Sequence, residues 1–124
     1  MKAISLFLVL FLCACASHQE EKIDPVKDPI RFGLNSKRDE YRSCFLESES
    51  YKGRNSITDG VVMVGFIIDK TGKPTNIKIV KSPFNDPNFH ACLQGILRLI
   101  SYPASEKGGT VEVTQPINFS ARLE

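Results

Sequence analysis

Between Val61 and Phe119 the apolar residues change their spacing twice, and those changes restrict the chain to one class of fold. Val61 to Ile68 is an apolar, largely β-branched run closed by Asp69-Lys70-Thr71-Gly72. Such a run reads as a strand, and the Asp-x-x-Gly that follows reads as a short hairpin turn with Gly72 at positive φ. Thr75 to Lys81 then alternates, directing Ile77 and Ile79 to a core and Asn76 and Lys78 to water. After the connection Ser82 to Asn85 the period lengthens at Asp86-Pro87, a cap followed by proline at the first helical position. Phe89, Cys92, Leu93, Ile96, Leu97 and Ile100 form a broad helical stripe stopped by Pro103, with Gly95 placed for a close approach to a sheet. Gly108-Gly109 turns the chain, and alternation returns from Thr110 to Phe119, with Val111, Val113, Gln115, Ile117 and Phe119 on one face. Pro116 has no N–H to donate, so this last strand belongs at a sheet edge.

One helix precedes the strands. Ser36 stands as its cap, Asp39 and Glu40 fall in its first turn, and Tyr41, Cys44, Phe45 and Ser48 mark one narrow face. It is expected to end between Glu49 and Lys52, before Gly53, with Arg54 to Asp59 as a loop. The order helix, strand, strand, helix, strand gives an α+β domain over 36–122: a three-stranded antiparallel sheet with two helices on one face. Cys44 and Cys92 are expected on the inner faces of those helices.

The N-terminal segment has a different origin. Residues 1–14 carry one charge, Lys2, then an apolar run from Ala3 to Leu12 too short to span a bilayer as a helix. This is secretory-leader anatomy. The ending Leu12-Cys13-Ala14-Cys15 resembles a bacterial lipoprotein signal, in which the cysteine is acylated and the peptide is cut just before it. Cys15 fits as the lipidated residue, since Leu12 lies three before it and the small Ala14 one before; Cys13 would put Leu12 at the cleavage position. The alternative is an ordinary secretory leader with Cys15 incidental. Each buried acyl methylene adds about 0.8 kcal/mol, so two or three chains hold a protein to a membrane without spanning it. Ala16 to Asn35 is polar and aperiodic, with Asp24-Pro25 and Asp28-Pro29 as breakers, so 15–35 reads as the lipidated cysteine and a flexible tether. A coil of that length holds a domain about 25 Å from the lipid. Ala16 is not the aspartate that retains lipoproteins in the inner membrane of enteric bacteria, which by analogy favours the outer membrane, facing the periplasm.

Removing the 14-residue leader from 124 residues leaves 110, enough for one small domain. The loss of Lys2 leaves 15 basic against 14 acidic residues, near +1, with no basic cluster, so nucleic acid is not an expected partner. Once lipid takes Cys15 and cleavage removes Cys13, Cys44 and Cys92 remain. In an exported protein such a pair reads first as a disulfide, stabilising by about 4 kcal/mol for a loop of this length; two unpaired buried thiols are the alternative.

The order of short motifs then resembles a known family. Cys44-Phe45, the run Gly60 to Asp69, Gly72, Val80, Ser82, Cys92, Arg98, Tyr102-Pro103, Val111 and Pro116-Ile117-Asn118-Phe119 follow the pattern of the AgmX/PglI C-terminal domain. That domain is a relative of the C-terminal domain of the energy transducer TonB, and the resemblance covers roughly 37–121. It implies the same α-β-β-α-β arrangement and a non-enzymatic periplasmic binding module. TonB-like relatives add a partner's extended segment to the sheet edge, which here implies Thr110, Val111, Glu112, Val113, Thr114 and Gln115 as the binding edge. A transducer also carries an inner-membrane helix and a long Pro-rich spacer, neither of which is found here, and Ile100 stands where such domains often carry tryptophan.

Nothing in the sequence points to a reaction. His18 lies in the tether, and His90 is two residues from Cys92 on a helix, which directs the two to different faces. There is no glycine-rich phosphate loop, metal-ligand spacing or serine elbow, so no cofactor, metal or small-molecule substrate is expected. Lys78 and Lys81 read as a solvated sheet face. The expectation is a membrane-anchored lipoprotein that binds an envelope protein partner, the alternative being an accessory that anchors an envelope or motility complex.

Overall fold

The computed structural model of the chain describes residues 23–54, 56–105 and 107–121. The leader, Cys15, His18 and residues 122–124 lie outside them. Seven elements follow in order: α1 (Pro29–Asn35), α2 (Arg38–Leu46), α3 (Glu49–Lys52), β1 (Asp59–Ile68), β2 (Pro74–Lys81), α4 (Pro87–Leu97) and β3 (Val111–Ser120). The strands form one antiparallel sheet of order β2-β1-β3. This is the α+β architecture read from the spacing.

One sheet face carries the core. Val62, Val64, Phe66 and Ile68 of β1 and Val113, Ile117 and Phe119 of β3 are buried beneath Tyr41, Cys44 and Phe45 of α2 and Phe89, Leu93 and Leu97 of α4. Gly72 has φ +92 at the β1–β2 turn, and its N–H donates to the Asp69 carbonyl. Its own carbonyl accepts from the Tyr102 N–H at 2.9 Å, and a side chain at 72 would run into the Tyr102 backbone. The turn thus also pins the segment that follows α4. Asp69 accepts from the Thr71 hydroxyl and the Thr71 and Lys73 N–H groups; these bonds, the Thr71 hydroxyl first, hold its carboxyl below the usual value.

Four local features differ from the sequence reading. Residues 29–35, expected within a flexible tether, form α1, because Asp28-Pro29 is a cap and an N-terminal proline rather than a breaker. The Asp28 carboxylate accepts from the Arg31 N–H, and Leu34 and Gly33 are buried. Gly33 allows the approach: a Cβ there would meet the Tyr102 ring at 2.9 Å and Ile100 at 3.1 Å. Ser36 is not the cap of α2; it follows α1 and donates to the Gly33 carbonyl at 2.6 Å. The expected single helix is broken at Glu47-Ser48, where Ser48 caps α3 by accepting from the Tyr51 N–H. Helix α4 stops at Leu97, well before Pro103, and Gly95 faces open space instead of the sheet.

The cap Asp86 was legible and proves to do more than cap. Its carboxylate accepts from the Phe89 N–H and from both the N–H and hydroxyl of Ser50, so α4 is tied to α3. Burial pushes this carboxyl up, but those bonds and nearby His90 outweigh it, and its pKa lies below the usual value. That contribution is present above the unfolded carboxylate range and is lost as the pH falls through the lowered value.

Tyr41 and Tyr102 are buried with hydroxyls that find no partner among the described residues. Burial raises both pKa values, Tyr102 to about 12, and Tyr41 is raised further by Tyr102 and Glu40. The unfolded phenols ionise near 10 while the folded ones keep their protons, so stability present below pH 10 is lost as the pH climbs. The Tyr41→Phe/Tyr102→Phe variant should melt no lower than the parent at pH 7 and clearly higher at pH 11. Equal melting losses for the two proteins between those pH values would contradict this account.

Candidate partner-binding site

Two strands lie at sheet edges, and their backbones are unlike. β2 has register shifts at two places in its pairing with β1, and Asn76 within it has φ +50. Lys78 and Lys81 project from it exposed to solvent. Bulges and edge lysines are the usual protection against strand pairing. β3 instead keeps one unbroken register with β1, from Ile68↔Val111 to Asp59↔Ser120.

The direction of the β3 backbone groups follows from its two ends. The Ala121 N–H donates to the Thr58 carbonyl, toward β1, whereas the Ser120 carbonyl accepts from Arg42 Nη1 on the helix side at 3.2 Å. Antiparallel pairing alternates, so odd-numbered residues bond to β1 and even-numbered ones point their N–H and C=O away from it. The same parity puts the proline at 116, where an edge strand can lack its donor without losing a ladder bond. Of the six residues expected to form the edge, only Glu112 and Thr114 present outward backbone groups. Val111, Val113 and Gln115 pair inward, Val113 with its side chain in the core, and Thr110 precedes the strand. The outward row continues through the Pro116 carbonyl and Asn118.

That continuation borders a groove the sequence did not disclose. An open cavity of about 860 Å³ runs between the β3 residues Gln115 to Ser120 and the helices α1 and α2. Arg31, Arg38 and Arg42 line its helix side, with Asn35 and Asp39 among them. Arg31 lies 3.7 Å from Asp28, a loose exposed pair. The signal the sequence lacks is α1: a tether over 29–35 provides no wall opposite the C-terminal half of β3.

The remaining candidates are structural. Cys44 and Cys92 form a disulfide with Cα atoms 5.9 Å apart, joining α2 to α4; Cys44 is buried, but Cys92 lies at the exposed side of α4 and not on its inner face. His90 Nε2 is hydrogen-bonded to the Ser82 hydroxyl at 2.9 Å. Among the described residues no group of His, Cys, Asp and Glu is placed to hold a metal ion, and no helix is long and apolar enough to cross a membrane.

The family model for the C-terminal region of the Gram-negative bacterial TonB protein matches residues 54–121, more than half of the chain. The chain belongs to the TonB C-terminal family. An NMR structure of the Helicobacter pylori TonB C-terminal domain, residues 194–285 of that protein, is 28% identical, with a TM-score of 0.50. It covers 74% of this chain and 97% of its own. A longer fragment of the same protein, 179–285, is 24% identical with a TM-score of 0.40, covering 73% and 85%. No curated protein matches the chain. TonB C-terminal domains are protein-interaction domains of the periplasmic envelope. Here the family match begins at Arg54, so it includes the sheet and α4 and leaves α1 to α3 outside. The Helicobacter pylori domain covers more of the chain than the family match does, so its likeness extends into the residues before Arg54.

Proposed function

We propose that this protein is a lipid-anchored, non-enzymatic component of the cell envelope whose TonB C-terminal domain binds an extended segment of another envelope protein by strand addition at β3. The observation that carries the reading is the unbroken, one-sided pairing of β3, with the outward groups of Glu112, Thr114, Pro116 and Asn118 in one row. A segment laid along that row continues the sheet, its main chain supplying affinity and its alternate side chains specificity. Those on the core-side face enter the groove beside Arg31 and Arg38, which favours a carboxylate there. The lipid anchor rests on Cys15 and its flanking Leu12 and Ala14, and the narrower AgmX/PglI relationship rests on the motif order and the cysteine pair.

Thr114→Pro tests the edge. Its N–H points away from β1, so the substitution leaves the ladder intact while removing a donor and setting a ring in the partner's path. A photoreactive side chain at Asn118 in the full chain in cells identifies the bound protein. Its affinity for the Thr114→Pro variant should fall at least about tenfold, the equivalent of one good hydrogen bond. A partner held equally well by a normally folded Thr114→Pro protein would rule out strand addition at this edge.

A further inference from the structure

Six large apolar side chains are exposed among the described residues, and they form two groups. Val61, Val80 and Val111 lie along the sheet and are about half exposed. Val26, Phe32 and Leu99 are the others, at 87%, 47% and 73% exposure, and they include the only phenylalanine and the only leucine of the six. Phe32 and Leu99 share one shallow cleft between α1 and the end of α4, walled by Pro25, Pro29 and Pro103. Val26 follows Pro25 directly in the chain. Scattered apolar residues are ordinary on a surface; an exposed phenylalanine and leucine sharing one proline-walled cleft are not.

The position of this cluster along the chain points to what covers it. Val26 lies three residues after Ile23, where the described chain begins, and only Ala16 to Lys22 separate Ile23 from Cys15. Eight Cα steps reach at most about 28 Å, close to the diameter of a domain of this size. The intervening Ala-Ser-His-Gln-Glu-Glu-Lys has no large apolar side chain with which to cover the cluster itself. Lys27 and Arg98 flank Val26 and Leu99 in sequence, and at a lipid interface long cations of this kind keep their stems on apolar surface and their heads among phosphates.

We propose that Val26, Phe32 and Leu99 are a membrane-contacting surface, which rests the domain against the headgroup region of the same bilayer that holds lipidated Cys15. The inference rests on the lipid-anchor reading above. It adds an orientation: α1 and the end of α4 lie against the lipid, and the domain does not swing freely on its tether.

The chain has no tryptophan, so a single introduced one reports cleanly. The mature, acylated full chain carrying Leu99→Trp is reconstituted into vesicles of three parts phosphatidylethanolamine to one part phosphatidylglycerol, with and without brominated acyl chains. Val80→Trp is the reference, because Val80 packs over Gly65 on the sheet face that the helices leave open. The expected result is blue-shifted emission quenched by bromine for Leu99→Trp and neither change for Val80→Trp. Adding Val26→Ser and Phe32→Ser, both at exposed positions, should abolish most of the quenching while flotation with the vesicles persists. Protein that floats with an unquenched Leu99→Trp fluorophore overturns the contact and leaves the anchor standing. Blue-shifted emission without vesicles would show that a second copy or the tether covers the cluster, and also overturns it. Protein that carries no acyl chain and does not float fails the anchor reading itself, and this inference with it.

Discussion

Phe45→Ala is expected to destabilise the domain by about 3–5 kcal/mol, the range for deleting a fully buried ring. Phe45 is wholly buried, with ring centroids 5.4 Å from Tyr51 and Phe84, 5.6 Å from Phe119 and 5.9 Å from Phe89. Those rings come from α3, the β2–α4 connection, β3 and α4, so one side chain from α2 is the shared contact of every layer. Its loss opens a cavity whose walls belong to elements fixed elsewhere, by the Asp86–Ser50 bonds and the disulfide, and they cannot all close inward. A domain of this size has about 5–15 kcal/mol in total, so much of the margin goes. Phe45→Leu, which keeps most of the volume, should cost far less. Urea unfolding of the two variants measures both, and a Phe45→Ala cost under about 1 kcal/mol would mean that the site collapses freely.

The second large effect is covalent. Cys44 and Cys92 are 48 residues apart, and in the chain-entropy model their bond stabilises by about 4 kcal/mol, with measured values commonly 2–4. Cys92→Ser should therefore lower the melting temperature by roughly 10–25 °C. Because position 92 is exposed, the serine hydroxyl stays in water and the loss reports the cross-link alone. Cys44→Ser places a hydroxyl in the core as well and should melt lower still. Reductant should bring the parent down to Cys92→Ser and leave both variants unmoved. A parent protein indifferent to reductant would show that the bond contributes nothing.

Legibility followed the strength of the local signal. Asp86-Pro87 was read correctly because an eleven-residue amphipathic helix follows it; Asp28-Pro29 is the same device in front of a seven-residue helix with only two buried residues. Such a short helix owes its existence to Tyr102 and Ile100, which lie far along the chain and receive Gly33. Ser48 fell on the right face for a continuous α2, and only its hydroxyl, which accepts from the Tyr51 N–H and donates to the Phe45 carbonyl, makes it a boundary. Cys92 sits at helical spacing with Phe89 and Ile96, but at the margin of the stripe, close enough to reach Cys44 and too far round to be covered. For the binding edge, alternation placed β3 and Pro116 placed it outermost. Which of its backbone groups point outward needed the bonds at Thr58 and Arg42, and the groove needed α1.

The disulfide also decides how the molecule yields to tension. Its loop encloses β1 and β2 completely, since both lie between Cys44 and Cys92. A pull between the N-terminal end and β3 can straighten α1 and the start of α2, then passes directly from sulfur to sulfur into α4. The 48-residue loop, roughly 160 Å of contour, is withheld from extension. What can still be drawn out beyond Cys92 is the rest of α4, the connection and β3 itself, peeled or sheared from β1. Oxidised, the domain is a short-stroke coupling between its two ends; reduced, it becomes a long and compliant one.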